Sequence, residues 1–534
     1  MTTFSCHSTG RNWRIVFLGL IAIILSLSAL RSQAQAIQET PEAIDKPNAS
    51  TTAAENDQPQ TSAATTVVPD SQPPQAVADH AADHPHLGKD LGLWTMLPFA
   101  GTLLCIALLP LFAGHWWEHN RNKGIVAAIF AVPVAVYLLA ALGSAGGHVL
   151  LEAVLEYIPF ILLLGALFVI TGGIVVEGSL SGTPLLNTGI MGLGAVIANL
   201  IGTTGASVLL IRPLLRANAP RTRKSHIVLF FIFIVSNCGG LLTPLGDPPL
   251  FMGFQRGVPF LWTAALWPQW LTVNLILLIV FNVWDQVVLD KEELAKPGAL
   301  LEAVQHHAPL KVLGRRNVLF LLGVVAAIYG EGQGIFNGGQ PWPKGIKEVA
   351  MLAMGVLGYT LTPQSNREKN RFSFGPIIEV AVLFAGIFIT MAPALLILNA
   401  WGNGDRQVLG MALGLSQPWQ YFWASGLLSS CLDNAPTYLT FAATAAGQQH
   451  IPAEGLYLKD LLATPGGPSL LAAVSCGSVF MGANTYIGNG PNFMVKAIAE
   501  ENGVKMPSFF GYMIYSGLIL LPTFSVVTWF FFRG

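Results

Sequence analysis

The stretch SNCGGLLTPLGDPPLFM, residues 236–252, interrupts an apolar run that begins near Ile227. It contains three prolines, three glycines and one aspartate. Proline removes a backbone donor and glycine weakens a helix, so a helix that enters this stretch has to break within it. A broken backbone at membrane depth is tolerated only where it is buried in protein or lines a polar cavity. The stretch therefore predicts a broken helix beside a polar site.

The same pattern returns near the C-terminus of the chain. With unchanged spacing, Thr243, Gly246, Pro249, Phe251 and Met252 recur as Thr485, Gly488, Pro491, Phe493 and Met494. Asp247 is matched by Asn489. This internal repeat predicts a fold of two related halves, each with one broken helix.

The composition is that of a membrane protein. Of the 534 residues, 52% are hydrophobic and 11% are charged, against roughly 25% charged residues in soluble domains. Apolar runs of membrane length recur along the chain. They predict ten spans, of which the fourth and ninth are broken: Leu93–Ala113, Gly124–Leu142, Tyr157–Val176, Ile227–Phe254, Trp262–Val283, Asn317–Tyr329, Ile346–Leu361, Phe374–Leu398, Ser469–Val495 and Phe509–Phe532.

Two further apolar stretches, Pro184–Leu215 and Val408–Ala446, carry polar breaks at residues 199–205 and 433–437. The connections on one predicted side of the membrane hold 17 Lys and Arg residues, and those on the other side hold 6. The positive-inside rule places the first set in the cytoplasm. The two apolar stretches then enter and leave on the same side, so each is predicted to be a re-entrant hairpin. The predicted fold is an all-α polytopic membrane protein, an inverted repeat of five transmembrane helices plus one re-entrant hairpin each.

The ends of the chain and its linker complete the predicted organisation. Residues 1–36 have the charged, apolar and small-residue order of a signal peptide. Residues 37–90 have the polar composition of a disordered extracytoplasmic tail. The first transporter repeat is predicted over 91–284, a cytoplasmic linker over 285–316, and the second repeat over 317–534. We expect a multi-pass protein of a bacterial-type inner membrane with its N-terminal tail outside the cytoplasm.

Inverted repeats with discontinuous helices are typical of secondary transporters, whose site lies at the repeat interface near the midplane. Freed carbonyls at half-helix C-termini coordinate cations, and half-helix N-termini favour anions. The breaks also carry side-chain oxygens, which suit Na⁺ or another alkali cation rather than a transition metal, and no metal other than an alkali cation is predicted. The predicted ion- or substrate-binding residues are Asn199, Thr203, Ser236, Asn237, Thr243, Gly246, Asp247, Asp433, Asn434, Thr437, Asn484, Thr485, Gly488 and Asn489.

Asp247 and Asp433 are the formal charges inside the broken segments. A carboxylate within the membrane is costly and usually marks a transport pathway. The alternative is that both aspartates cap half-helices and meet no substrate. We expect protons to compete with cations for these carboxylates, and we predict proton-coupling roles for Asp247, Asp433 and Glu379. Glu379 could equally be an interface anchor.

At these residues the chain resembles the ion-transporter superfamily of citrate-transporter-like permeases, sodium:proton antiporters and arsenite permeases. The motifs are Ser236–Gly240 with Thr243–Asp247, and Leu432–Thr437. The resemblance covers roughly residues 90–534 and implies an elevator-like, commonly dimeric transporter with a scaffold and a moving part that contains both hairpins. The two motifs are similar to the antiporter and arsenite branches. The carboxylate branch instead tends to have a Ser-Asn-Thr triplet, where this chain has Ser-Asn-Cys.

The leading interpretation is a secondary active antiporter that exchanges Na⁺ or Li⁺ for H⁺. The alternative is a Na⁺- or H⁺-coupled carrier of citrate-like carboxylates or oxyanions, with the aspartates behind bound Na⁺. A membrane enzyme is disfavoured, because the sequence has no zinc-protease motif, nucleophile elbow or phosphate loop. The expected partners are small ions or anions, the lipid bilayer and a second copy of the chain in a homodimer. No cofactor and no nucleic acid are expected.

Overall fold

The structure is a computed structural model that describes residues 87–533, apart from 180, 296–297, 299–307, 341, 344, 406 and 408–413. The predicted signal peptide and nearly all of the predicted tail lie outside the described residues. The helices of the first part are α1 (Leu87–Asp90), α2 (Leu97–Phe112), α3 (Gly114–Trp117), α4 (Asn120–Gly172), α5 (Pro184–Ala217), α6 (Ser225–Ile234), α7 (Pro248–Gln255) and α8 (Trp267–Ala295). The helices of the second part are α9 (Arg316–Gly332), α10 (Ile346–Thr360), α11 (Gln364–Lys369), α12 (Gly375–Gly402), α13 (Pro418–Ser429), α14 (Asn434–Gln448), α15 (Tyr457–Ala463), α16 (Gly467–Met481), α17 (Gly490–Glu501) and α18 (Phe509–Val527).

Among the described residues, six helical segments are long and apolar enough to cross a membrane. They are Leu93–Pro110, Asn120–Gly172, Pro184–Ala217, Trp262–Ala295, Gly375–Gly402 and Phe509–Phe532. The chain is therefore an all-α, multi-pass membrane protein. Helices α9 and α10, with 17 and 15 residues, match two further predicted spans closely in position but are too short to be among the six.

The helix α6 is apolar on every side, and its residues from Ile227 to Ile234 are at most 2% exposed. A helix that is hydrophobic all round belongs in an interior. The helix α16 is buried in the same way from Leu470 to Met481. Both lead directly into the broken stretches, so the repeated motif lies in the centre of the protein, while helices such as α2 and α18 keep exposed apolar faces.

The predicted outer loop over residues 143–156 is wrong, because this segment is helical. The helix α4 is interrupted only at Gly143, where φ is 55° and ψ is −124°. Glycine adopts this conformation at little cost. The helix after the break carries His148, Glu152 and Glu156 on one side, at the spacing of a single helical face. Because this face of the helix is polar, hydropathy alone does not indicate a span here.

A two-stranded antiparallel ribbon was not predicted. It joins β1 (Val175–Ser179) to β2 (Ala308–Leu313), with Glu177 opposite Lys311. Lys369 donates a hydrogen bond of 2.5 Å to Glu177 and holds the pKa of that carboxyl below its usual value. The strand β2 occupies the end of the predicted linker, and the last turns of α8 extend into its start. Both fall outside the apolar spans, so hydropathy does not reveal them.

Candidate functional site

The two repeated stretches have the same backbone geometry. Asp247 precedes α7 with φ −149° and ψ 146°, and Asn489 precedes α17 with φ −153° and ψ 139°. Both residues occupy the N-cap position, yet neither side chain caps its own helix. Their polar groups are therefore available to other elements.

Each repeated stretch is tied to a second break. Thr243 donates a hydrogen bond to the carbonyl of Asn199, next to the interruption of α5. Thr485 donates a 2.5 Å hydrogen bond to the carbonyl of Ser430, between α13 and α14. The interruption in α5 is at Gly202, with φ 77° and ψ 155°. Each threonine thus holds a freed carbonyl of the neighbouring break.

The repeated glycines allow a close approach of the backbone. A side-chain carbon at Gly246 would collide with the carbonyl oxygen of Gly240, and one at Gly488 would lie 2.6 Å from the carbonyl oxygen of Gly482. The sequence predicted Gly246 and Gly488 as site residues. The structure places them where each broken stretch folds back on itself, so their role is to permit the turn.

Asp247 is the point where all four breaks meet. Its carboxylate accepts a 2.8 Å hydrogen bond from Thr203 Oγ1, in the break of α5. It accepts a second from Asn434 Nδ2, at the start of α14. Asn489 Nδ2 of the other repeated stretch lies 3.4 Å from the same carboxylate. Asp247 is 1% exposed, so a buried carboxylate organises four segments that are far apart in sequence.

A chain of amides extends from Asp247 into the second half. Asn489 Nδ2 lies 3.3 Å from the carbonyl of Ser236 and 3.2 Å from Asn237 Oδ1. Asn237 Nδ2 donates in turn to Asn492 Oδ1 at 2.7 Å. The Ser236 hydroxyl shares a 2.7 Å hydrogen bond with Ser207. The two repeated stretches are therefore in direct contact through polar side chains.

Asp433 has a different role from Asp247. Its carboxylate accepts a 3.1 Å hydrogen bond from the backbone of Ala435 and caps α14. Thr437 donates to the Asp433 carbonyl at 2.9 Å. Asp433 is only half-buried. The structure therefore gives Asp433 the capping geometry that was the alternative prediction, whereas Asp247 does not have it.

Two buried acceptor atoms at the site have no hydrogen-bond partner among the described residues. They are Asn434 Oδ1 and Asn484 Oδ1. Asn484 Nδ2 donates to Ser430 Oγ at 2.8 Å, which fixes the orientation of this side chain. An unpaired buried acceptor costs free energy, so both oxygens are candidates for contact with a bound species.

Glu379 is not part of this cluster. Its carboxylate forms a 2.7 Å ion pair with Lys123, whose side chain is 5% exposed. The pair joins α12 to the start of α4. The contact is that expected of an interface anchor, the second of the two roles that the sequence left open for Glu379.

A cavity of about 100 Å³ lies beside Asp247, with room for several water molecules. One wall is polar and includes Thr203, Thr204 and Asp247. The lining also includes apolar residues of α4 and α12, among them Leu167 and Ile377. Of the described residues that line the cavity, none is lysine or arginine. A small polar ligand could therefore reach the Asp247 carboxylate from one side.

The sequence analysis missed several polar groups that complete the site. Ser430 accepts from both Thr485 and Asn484, but it precedes the predicted break at 433–437. Ser207 lies one turn beyond the break of α5. The pair Ser429-Ser430 directly before the second motif was the available signal for an earlier break.

One comparison with known proteins gives a match. The family model described as "Putative citrate transport" matches residues 88–532. The chain belongs to this citrate transport family. The match includes both repeated stretches and both other breaks, so it covers the whole membrane-spanning part of the chain. It is a secondary membrane transporter within the ion-transporter superfamily and not an enzyme. A comparison with curated proteins gives no match.

Proposed function

We propose that this protein is a secondary active carrier that moves a citrate-like carboxylate together with a coupling cation. The observation that carries the proposal is the family match over residues 88–532. Sequence analysis favoured sodium/proton exchange, with carboxylate transport as the alternative. The family match supports the alternative better, and the capping geometry of Asp433 weakens a mechanism in which two aspartates alternate.

The proposed architecture is an inverted repeat with a re-entrant hairpin in each half. Support comes from the equal backbone geometry at Asp247 and Asn489 and from the equivalent bonds of Thr243 and Thr485. In each half a repeated stretch holds the carbonyl of a neighbouring break. The segments with the breaks would move together as one body, because their polar side chains bond to one another.

The charge at the site is the reason for proposing a coupling cation. A carboxylate substrate near Asp247 would meet a negative charge, and at an effective dielectric constant of about 20 two unit charges 4 Å apart repel by about 4 kcal/mol. The described lining of the cavity offers no lysine or arginine to offset it. A cation bound between Asp247 and the substrate would convert this repulsion into attraction.

The cation would be held by oxygen atoms. Asp247 supplies a carboxylate from the first half, and Asn434 Oδ1 and Asn484 Oδ1 supply unpaired acceptors from the second half. Neutral and anionic oxygens are the ligands that alkali cations take in proteins. Asn199 and Ser430 add carbonyls at the breaks, each already bonded to one threonine and retaining a second lone pair.

The substrate would be bound by donors. The helix α14 directs its N-terminus toward the site through Asn434, and an N-terminus favours negative charge. Thr204 lines the cavity beside Asp247 and is the threonine assigned to the substrate, because the single hydroxyl proton of Thr203 is already donated to Asp247. Thr437 and Ser236 use their hydroxyls for internal bonds, so we assign them to positioning. Proton coupling by Glu379, the homodimer and the inner-membrane orientation remain predictions.

The test is uptake of radiolabelled citrate into proteoliposomes. Uptake should rise when an inward Na⁺ or H⁺ gradient is imposed and should fall to the background of empty vesicles when the gradients are removed. Sodium-driven proton movement without citrate is measured in the same vesicles. Proton exchange without citrate uptake would refute the carboxylate carrier and restore the antiporter interpretation.

A further inference from the structure

A cavity far from the transport site lies between α6, α8 and α18. Its volume is about 410 Å³. The lining includes three basic residues, Arg223, Lys224 and Lys505, together with the aromatic residues Trp284 and Tyr515. No aspartate or glutamate is among the described residues that line it. The cavity therefore carries a formal charge of about +3 at neutral pH.

The side chains of Arg223 and Lys505 are exposed and have no hydrogen-bond or ion-pair partner among the described residues. Two carboxylates adjoin the lining without pairing with these two side chains. Asp285 contacts His226 at 2.8 Å and pairs with Arg221 at 2.6 Å. Glu292 accepts from the Arg223 backbone at 2.7 Å and from Thr222 at 2.8 Å. Two cations of the cavity are thus free to bind an external anion.

The helix α6 begins at the same cavity. Its first turn includes Ser225 and His226, whose amides have no acceptor among the described backbone groups. Such amides favour a negative group at a helix N-terminus. The helix dipole and the side-chain cations therefore act in the same direction.

The surroundings indicate a membrane interface. Trp284 and Tyr515 are half-buried, with ring centroids 6.0 Å apart, and Trp and Tyr concentrate at the level of lipid headgroups. The apolar residues Leu229 and Val288 also line the cavity. The charge distribution of the connections puts this end of the helices in the cytoplasm, where the leaflet is negatively charged.

The cavity at the opposite end of the helices has the reverse character. It has a volume of about 360 Å³ and is lined by Glu152, Glu156 and Glu454 as well as by His148 and Arg256. The Arg256 side chain is already paired with Glu156 at 2.6 Å. An excess of unpaired cations is therefore a property of the cytoplasmic cavity that this second cavity does not share.

We propose that this cytoplasmic cavity binds the phosphate headgroup of an anionic phospholipid. Arg223, Lys224 and Lys505 contact the phosphate, and Trp284 and Tyr515 contact the glycerol and upper acyl region. A bound phosphate would also offset the positive charge at the N-terminus of α6, the helix that leads into the broken stretch at 236–252. The lipid would thus stabilise the segment that carries Asp247.

The experiment uses the full-length protein in detergent, stripped of lipid, with fluorescent short-chain phosphatidylglycerol as the probe and anisotropy as the readout. Removing a basic residue near the membrane surface should weaken binding about fivefold for each charge. The double variant Arg223→Gln/Lys505→Gln should therefore bind about 25-fold more weakly. The single variant Lys505→Gln changes an exposed loop and should bind the probe about fivefold more weakly. It keeps the proposal testable if the double variant fails to fold.

The matched control is Arg121→Gln/Arg315→Gln, which removes two exposed charges on the same predicted side. Its affinity for the probe should stay within about twofold of the unaltered protein. Equal loss in the control would mean general electrostatic attraction and would overturn the proposal. Equal binding of phosphatidylcholine, or full displacement of the probe by millimolar inorganic phosphate, would also overturn it, the latter in favour of a soluble anion.

Discussion

Replacement of Asp247 by asparagine tests the charge at the centre of the site while changing its shape very little. The carboxylate accepts from Thr203, Asn434 and Asn489. An asparagine keeps one acceptor oxygen and introduces a donor. The amide of Asn434 can turn so that its unpaired Oδ1 receives this donor. Charge-assisted bonds become neutral ones, so we expect a loss of stability of about 1–3 kcal/mol and a protein that still folds.

The effect on cation binding should be larger. A unit charge about 4 Å from a cation contributes about 4 kcal/mol at an effective dielectric constant of about 20. This corresponds to a cation affinity about 10³-fold weaker in Asp247→Asn. Citrate uptake should then no longer respond to physiological concentrations of the coupling cation.

The assay is citrate uptake into proteoliposomes at a series of Na⁺ concentrations and pH values, with thermal unfolding as the check on folding. Asp460→Asn is the control, because Asp460 is exposed in α15 and lies outside the site. It should behave like the unaltered protein. If Asp247→Asn folds and keeps its cation dependence within about tenfold, the role given to this carboxylate is refuted.

Three further predictions follow from other parts of the fold. Gly202→Ala should lower stability by about 1–3 kcal/mol, measured by thermal unfolding, because φ and ψ of Gly202 lie in a region that other residues avoid. Asp285→Asn should lower it by about 3 kcal/mol, since buried Arg221 loses its closer carboxylate and keeps only Glu292 at 3.4 Å. Exposed Asp290→Asn should change it by less than about 0.5 kcal/mol, and equal melting of the two aspartate variants would contradict the role given to Asp285. In a cysteine-free background, a cysteine at Ala219 should react with a membrane-impermeant reagent from the cytoplasm and one at Lys459 from outside, and labelling of both from the same side would exclude the inverted repeat.

Much of the helical framework could be predicted from the sequence, because the length of an apolar run reflects the thickness of the bilayer. Prolines and glycines mark the places where a helix breaks. The break in α5 falls within the predicted residues 199–205, at Gly202. The second break lies at 430–433, slightly before the predicted 433–437, because Asn434 already begins α14. A helix with an exposed polar face, such as residues 144–156, has no such signature.

The contacts of the site were less predictable. Asp247 and Asp433 both precede a half-helix and look equivalent in sequence. Only the packing of α5, α14 and the second repeated stretch around Asp247 directs its carboxylate across the site, while Asp433 bonds to its own helix. The partner network of Asp285 was missed for a similar reason, since a charge at the end of a span looks like part of a polar linker.

Position 247 is charged in the first half, whereas its counterpart in the second half, Asn489, is neutral. This difference sets the charge at the site. Asp247 and Asn489 have the same backbone conformation and lie within hydrogen-bond reach of each other. A second aspartate at 489 would place two buried carboxylates at this distance, which costs several kcal/mol without an additional cation. Asparagine instead provides a donor that stabilises Asp247. In the proposed mechanism Asp247 therefore supplies the negative charge for the cation, and the neutral amide at 489 avoids a second negative charge beside the substrate.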